Sequence, residues 1–472
     1  MGAAHAFFET RRDCANSPFV LRGEQRFPAA VRPAGRGRGG APLRSNHPRI
    51  DRLRRMPPVY PYPPRMSTPV PSAPASPRLV SLDALRGFDM FWILGADALF
   101  TALAKVFDLA PLRLIAGQLD HKDWAGFAFY DLIFPLFVFM SGASLVFALP
   151  KIIERDGRAA AVKRVLFRGA LLFAVGLFYA GGLQTKWPDI RVLGVLQRIA
   201  LAYTGAGLLF CFFKPRALAA IGTAILVGYW ALLTFVPIRD VHLERTAVSA
   251  KLGVAKPTLE QAQQLYASTT ARVSGVYDPG RNLANHLDFE FLGGRKYDGY
   301  YDPEGLLSTG PAVVSCLLGV FAGLLLRRRD WGEIKKVTWL AVAGAAAVAL
   351  GFLWGLQFPV VKKIWTSSFV LVAGGYSALL LAAFYYAIDV RGWKRWCVPF
   401  VWIGMNPITL YLISGIVGYR KLAARLAGGD LAAWFDTTLG TGWGNLGIAV
   451  VGLAIMLALA RFLHARQIFL RV

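Results

Sequence analysis

The chain has 472 residues, 55% of them hydrophobic and only 17% charged, with a mean hydropathy of +0.44; this excludes an ordinary soluble globular protein and points to a membrane protein. Its net charge of +25 does not imply a nucleic-acid partner, because the basic residues sit in short clusters between apolar runs and not along one polar face. Four scattered cysteines (Cys14, Cys211, Cys316, Cys397), three inside apolar runs, argue against a disulfide framework or a zinc site.

The first 66 residues hold 13 arginines and no lysine, with repeated glycine and proline and no apolar periodicity. They read as part of a disordered tail over 1–77, or as upstream sequence translated ahead of a start at Met56 or Met66. No signal peptide is expected. From residue 78 onward, runs of roughly 17 to 25 apolar residues, each enough to cross about 30 Å of hydrocarbon as a helix, recur about ten times. Their cores are 86–104, 127–149, 166–184, 192–213, 217–237, 305–326, 337–357, 367–388, 397–417 and 444–463. The predicted fold is an all-α, polytopic bundle in a lipid bilayer. Basic clusters follow every second span: Lys151 to Arg164, Lys214 with Arg216, Arg327 to Lys336, Arg391 to Arg395, and Arg461 to Arg471. These loops are expected in the cytoplasm with both termini, and the insert 238–304 outside.

Ionisable residues inside spans are costly and call for a partner or a task. In span one, Asp83, Arg86, Asp89 and Asp97 fall within about a third of a helix circumference, a polar stripe predicted to face the bundle interior; an Asp83–Arg86 pair that anchors the helix is the plainer reading of those two. Span two carries Asp131 and Pro135. Span four has Arg198, which either snorkels or meets an anion. Asp302 and Glu304 stand where they would cap the helix of span six, with Ser308 just beyond. Trp365 and its neighbours Lys362 and Lys363 occupy a normal interfacial belt position, while Asn406 and Tyr411 fall within span nine, where Asn406 next to proline suits a helix kink. His121, in "LDHKDW", falls at the outer mouth of span two and by composition alone is a loop histidine. No phosphate loop, paired-histidine metal spacing or nucleophile elbow is present, so no metal is expected.

Six segments together carry more than any one of them: "SLDALRGFDMFWIL", "LDHKDWAGFAFYDLIFPLFVFMSGASL", "RVLGVLQRIALAY", "YDPEGLLST", "KKIWTSSFVL" and "IGMNPITLYLIS". In this order, over roughly residues 78–470, the sequence resembles the transmembrane acetyltransferases typified by heparan-alpha-glucosaminide N-acetyltransferase. The resemblance implies transfer of an acetyl group from cytosolic acetyl-CoA to the amine of a glucosamine-type sugar outside. It places the family's active histidine on His121, with Trp124 completing His-x-x-Trp, and the family's companion asparagine on Asp97. That is a departure, since an aspartate accepts but cannot donate an amide hydrogen bond. The shorter form is similar to bacterial relatives, which implies an inner-membrane protein, an amino-sugar or envelope-glycan acceptor, and a homodimer. A histidine suits the task as base or as acetyl carrier, because its ordinary pKa lies near working pH. Trp124, Asp131, Arg198, Asp302, Glu304, Ser308, Trp365, Asn406 and Tyr411 are the candidates to line the substrate site, and Arg86, Arg164 and Arg168 to hold the phosphates of CoA. A secondary transporter, or an acyltransferase using another acyl donor, is the alternative reading.

Overall fold

The computed structural model describes residues 79–187 and 189–469; the tail expected to be disordered lies outside them. Among the described residues, eight helices are long and apolar enough to cross a membrane, and nine if the bent pair Val398–Gly404 and Pro407–Ile416 is one span. The longest, α4 (Phe129–Tyr179), would run about 75 Å if straight, more than twice a bilayer's hydrocarbon. Gly157 interrupts it at φ 83°. Leu145 and Val165, 20 positions apart, both pack on Gly207, where a straight helix would hold them about 30 Å apart. The chain therefore doubles back at Gly157, and α4 is two antiparallel arms. With that division the spans follow the apolar runs in number and order.

Span one is α1 (Val80–Phe91) and α2 (Asp97–Phe107), joined by a π-turn over Trp92–Ala96 in which Gly95 takes φ 132°. The break resets the helical phase, which corrects the expectation of one continuous stripe: Asp83 and Asp89 are buried on α1, whereas Asp97 lies beyond the turn. A short helix, α3 (Ala110–Gln118), leads to the His121 loop. The remaining spans are α5 (Val195–Phe212), α6 (Pro215–Phe235), α10 (Thr309–Arg327), α11 (Glu333–Gly355), α12 (Ser367–Tyr385, continued by a π-turn to Val390), the pair α13 (Val398–Gly404) and α14 (Pro407–Ile416), and α17 (Trp443–Ala465). Span nine is bent by 76° between α13 and α14. Asn406 and Pro407 supply the break, because proline starts a helix without a donor but cannot continue one. Two further helices, α15 (Tyr419–Ala427) and α16 (Asp430–Leu439), lie between spans nine and ten.

Lipid tails are as apolar as leucine, so spans are held by close packing rather than by hydrophobic contrast. The first arm of α4 and α10 meet backbone to backbone: a Cβ on Gly142 would stand 1.9 Å from the Cys316 carbonyl oxygen, and one on Gly319 1.7 Å from that of Phe139. The insert forms α7 (Arg245–Leu252), α8 (Leu259–Ser268) and α9 (Leu283–Phe291), with a two-residue antiparallel pairing of Ile238–Arg239 and Arg272–Val273. It has its own core of Val241, Leu243, Val248, Tyr266, Phe289 and Tyr301. Loops 119–128, 180–194 and 356–366 gather with the insert at one end of the bundle, joined by Gly126 N to Val360 O (2.9 Å), Arg295 N to Ile190 O (3.0 Å) and Trp124 Nε1 to Tyr277 O (2.7 Å).

Candidate active site

At that end, the first turn of α4 prepares a carboxylate. Asp131 is the third residue after the N-cap Ala128, and its Oδ2 accepts from the backbone N–H of Ala128 (3.1 Å) and of Lys122 (3.3 Å), which satisfies donors a helix start leaves over. Pro135 lies one turn on, so the Asp131 carbonyl has no helical donor. The other carboxylate oxygen, Oδ1, stands 2.8 Å from Nδ1 of His121. A carboxylate only accepts, so Nδ1 carries the proton and Nε2 keeps its lone pair. Asp131 is 1% exposed while the imidazole keeps 40% of its surface. The site thus pairs a buried orienting acid with a reachable base.

Two more groups touch the imidazole. Tyr130 packs its ring at 4.8 Å between centroids and donates its hydroxyl to Asp97 Oδ2 at 3.1 Å. Lys362 brings Nζ to 3.0 Å from Nδ1, 3.3 Å from Nε2 and 3.4 Å from Asp131 Oδ1. Its loop is braced by the Ala125–Val361 bridge and by Thr366, whose hydroxyl accepts from Val361 N at 3.0 Å. Burial pushes the His121 pKa down, Asp131 pulls it back up and Lys362 pushes it down again; the balance lies below the ordinary value. Burial likewise lowers the Lys362 ammonium, with Asp131 opposing.

Beside this centre lies an arginine–acid network. Arg191 Nε meets Asp302 Oδ2 at 2.8 Å, and its Nη2 meets both Asp302 and Glu304. Burial raises the Glu304 carboxyl and Arg191 opposes that, while its two acids hold the Arg191 guanidinium above its usual range despite burial. Asp288, buried, accepts from Leu306 N and Asp302 N and is pushed up to about 7 by burial. Arg198, 1% exposed, bonds the carbonyls of Pro303, Gly305 and Ser308 and the Ser308 hydroxyl (2.7 Å), under the Trp365 ring at 5.2 Å. Trp365 donates to Ser315 Oγ at 3.0 Å and takes φ 50°. This network braces the turn into α10 around the candidate site.

The residues named from sequence thus separate into groups. His121 and Asp131 form a pair; Asp97, expected as the companion, reaches the imidazole only through Tyr130. Trp124 has its N–H committed to the insert. Arg198, Asp302, Glu304, Ser308 and Trp365 fall in the adjoining network; Asp302 and Glu304 face Arg191 and, contrary to expectation, do not cap the helix of span six, which starts only at Thr309 with Ser308 as its N-cap. Asn406 donates to the Ile468 carbonyl at 2.9 Å. Tyr411 stacks on Tyr179 at 4.8 Å and lines an apolar cavity with Met90, Phe134, Phe137 and Leu196. Arg86 bonds Ser144 Oγ (2.8 Å) and Asp83 (3.3 Å), Arg168 lies over the Tyr203 ring at 5.4 Å, and Arg164 is exposed. In the sequence Tyr130 and Arg191 do not stand out and Lys362 reads as an interfacial belt residue; the usable signal for Lys362 is its place in "KKIWTSSFVL".

The model for the catalytic part of heparan-alpha-glucosaminide N-acetyltransferase matches residues 78–249, the stretch that contains His121, Asp131 and Arg198. Over this stretch the chain is similar to the heparan-alpha-glucosaminide N-acetyltransferase family. It is 28% identical to the human enzyme of that name and 26% identical to the mouse one, in each case over 62% of this chain. The alignments cover 48% of those relatives, so the chain spans about half the length of the curated relatives it matches.

Proposed function

We propose that this protein is a transmembrane acetyltransferase that moves the acetyl group of cytosolic acetyl-CoA to the amine of a glucosamine-type sugar on the extracytoplasmic side. The observation that carries the reading is the His121–Asp131 pair, in a segment matched by the family model, on a reachable loop at one end of the bundle. Lys151, Arg155, Arg158, Lys163 and Arg164 flank Gly157 at the opposite end, and this cluster of basic residues supports a cytoplasmic placement of that end.

The donor supplies an activated thioester; the acceptor amine, an ammonium at neutral pH, must lose a proton before it attacks. With Nδ1–H held by Asp131, Nε2 of His121 takes that proton as general base, or itself attacks the thioester and carries the acetyl group. Exposed Arg164 fits contact with a CoA phosphate, whereas Arg86 and Arg168 are already engaged by their neighbours. The acceptor belongs with the loops and insert around His121, in a bacterial inner membrane as an envelope amino sugar, with the chain as a homodimer.

The test is purified protein in detergent with labelled acetyl-CoA and glucosamine, wild type against His121→Ala. Labelled N-acetylglucosamine from the wild type alone is the expected result. Equal product from a folded His121→Ala protein would remove His121 from the reaction, and unchanged substrate moved across a vesicle membrane would favour a transporter.

A further inference from the structure

Of the two adjacent lysines in "VKKIW", Lys363 pairs with Asp298 of the insert at 3.2 Å, which is what an interfacial lysine ordinarily does. Lys362 turns the other way, to the imidazole. An ammonium has donors only, so against a histidine whose Nδ1 already donates to Asp131 it makes no hydrogen bond to that nitrogen; Nζ stands 3.0 Å from Nδ1 and 3.3 Å from Nε2, close to both at once, and so lies against the ring and not along the in-plane Nε2 lone pair. A cation held there disfavours a second proton on the imidazole and leaves the Nε2 lone pair open to substrate.

The same ammonium is placed for the reaction itself. A thioester carbon attacked by an amine that hands its proton to Nε2, or by Nε2 itself, comes within about 3–3.5 Å of the nucleophile, which brings its carbonyl oxygen within reach of Nζ. The alternatives are committed elsewhere: Tyr130 donates to Asp97, Ser308 Oγ donates to the Gly305 carbonyl, Arg198 serves the turn before α10, and Asn406 holds Ile468. We propose that Lys362 is a further catalytic residue, which holds His121 neutral at rest and, once the acyl donor enters, gives its ammonium hydrogen bond to the thioester oxygen as that oxygen becomes negative. This rests on the acetyltransferase reading. The step balances: the amine nitrogen forms a bond to the carbonyl carbon, the C=O π pair moves to oxygen beside Lys362, and His121 Nε2 takes the amine proton. The oxygen pair then returns as the C–S bond breaks, and the CoA thiolate leaves with the proton from His121.

The charges facing His121 are Asp131 and Lys362, with Asp120 behind its backbone N–H and Asp97 behind Tyr130. Removing the lysine leaves only carboxylates near the ring, so the imidazole must titrate at higher pH. The experiment has two independent readouts on full-length protein in detergent: the pH dependence of diethyl pyrocarbonate modification of His121, followed by peptide mass spectrometry, and kcat and KM for acetyl-CoA with glucosamine. For Lys362→Met the His121 titration is expected to move up in pH and kcat to fall on the order of 10²- to 10³-fold, with KM nearly constant and part of the rate restored in Lys362→Arg. Lys362→Gln, which keeps a donor without charge, serves if the methionine variant does not fold. An unmoved His121 titration with an unchanged kcat overturns the proposal. If the titration moves but wild type acetylates no amine, the acetyltransferase reading fails and the oxyanion role with it, while the His121–Lys362 coupling stands.

Discussion

Asp131→Asn separates orientation from packing. The substitution keeps shape and removes charge, and the structure dictates how the amide must sit. Ala128 N–H and Lys122 N–H both point at Oδ2 and need an acceptor, so the amide oxygen stays there and the NH2 group faces His121 Nδ1. Two donors cannot share a hydrogen bond, so Nδ1 must give up its proton and Nε2 must carry it. The base then has no lone pair toward the substrate. Where a histidine base is trapped in the wrong tautomer in this way, the loss is on the order of 10⁴-fold in kcat, or about 5 kcal/mol of transition-state stabilisation. Folding should be little changed, because the helix-start bonds survive. Steady-state transfer of label from acetyl-CoA to glucosamine, over pH 5 to 9 and paired with a thermal melt in detergent, reads both. The variant should also stay slow at high pH, since raising the pH does not restore the tautomer. Activity within tenfold of wild type, or a return of activity at alkaline pH, would refute the argument that Asp131 acts by fixing the imidazole.

Because the His121 pKa lies below its ordinary value, the imidazole is neutral at neutral pH, and kcat/KM should hold there and fall only as pH drops below about 6.5, which a pH–rate profile measures. Arg191→Met would leave Asp302 and Glu304 buried without their cation and should cost about 3–5 kcal/mol, seen as a lower melting temperature. In Trp124→Phe the Tyr277 carbonyl loses its donor; about 1 kcal/mol is expected, with faster hydrogen exchange around residues 272–280. Gly142→Ala puts a methyl carbon 1.9 Å from the Cys316 carbonyl oxygen and should lower stability by about 1–3 kcal/mol, read by the same melt.

Much of the fold was legible because a bilayer imposes a length rule: each crossing needs about 20 apolar residues with its backbone bonds satisfied internally. The bend at Asn406–Pro407 and the turn at Gly157 could likewise be expected from residues that interrupt a helix. Past Gly95 the residues of span one no longer share one helical face, because periodicity projects residues onto one helix only while the helix is continuous. The interior of the insert was not legible, as its short helices are set by a small local core rather than by a bilayer-length pattern.

For the candidate site, sequence determined which residue had the chemistry: a histidine at the mouth of a span, inside a run of motifs shared with one family. Which carboxylate holds it was decided in three dimensions. Asp97 and Asp131 are both acids near the end of a span, and only the folding of loop 119–128 over the first turn of α4 brings Asp131 Oδ1 to His121. Lys362 is 241 positions away in the chain, and along the sequence an interfacial lysine looks the same whether it faces water or an imidazole. The packing of loop 356–366 on loop 119–128, through backbone bonds that any residue can make, turned it inward; hydrogen bonds of that kind leave no trace in residue type, so tertiary structure alone placed the lysine beside the histidine.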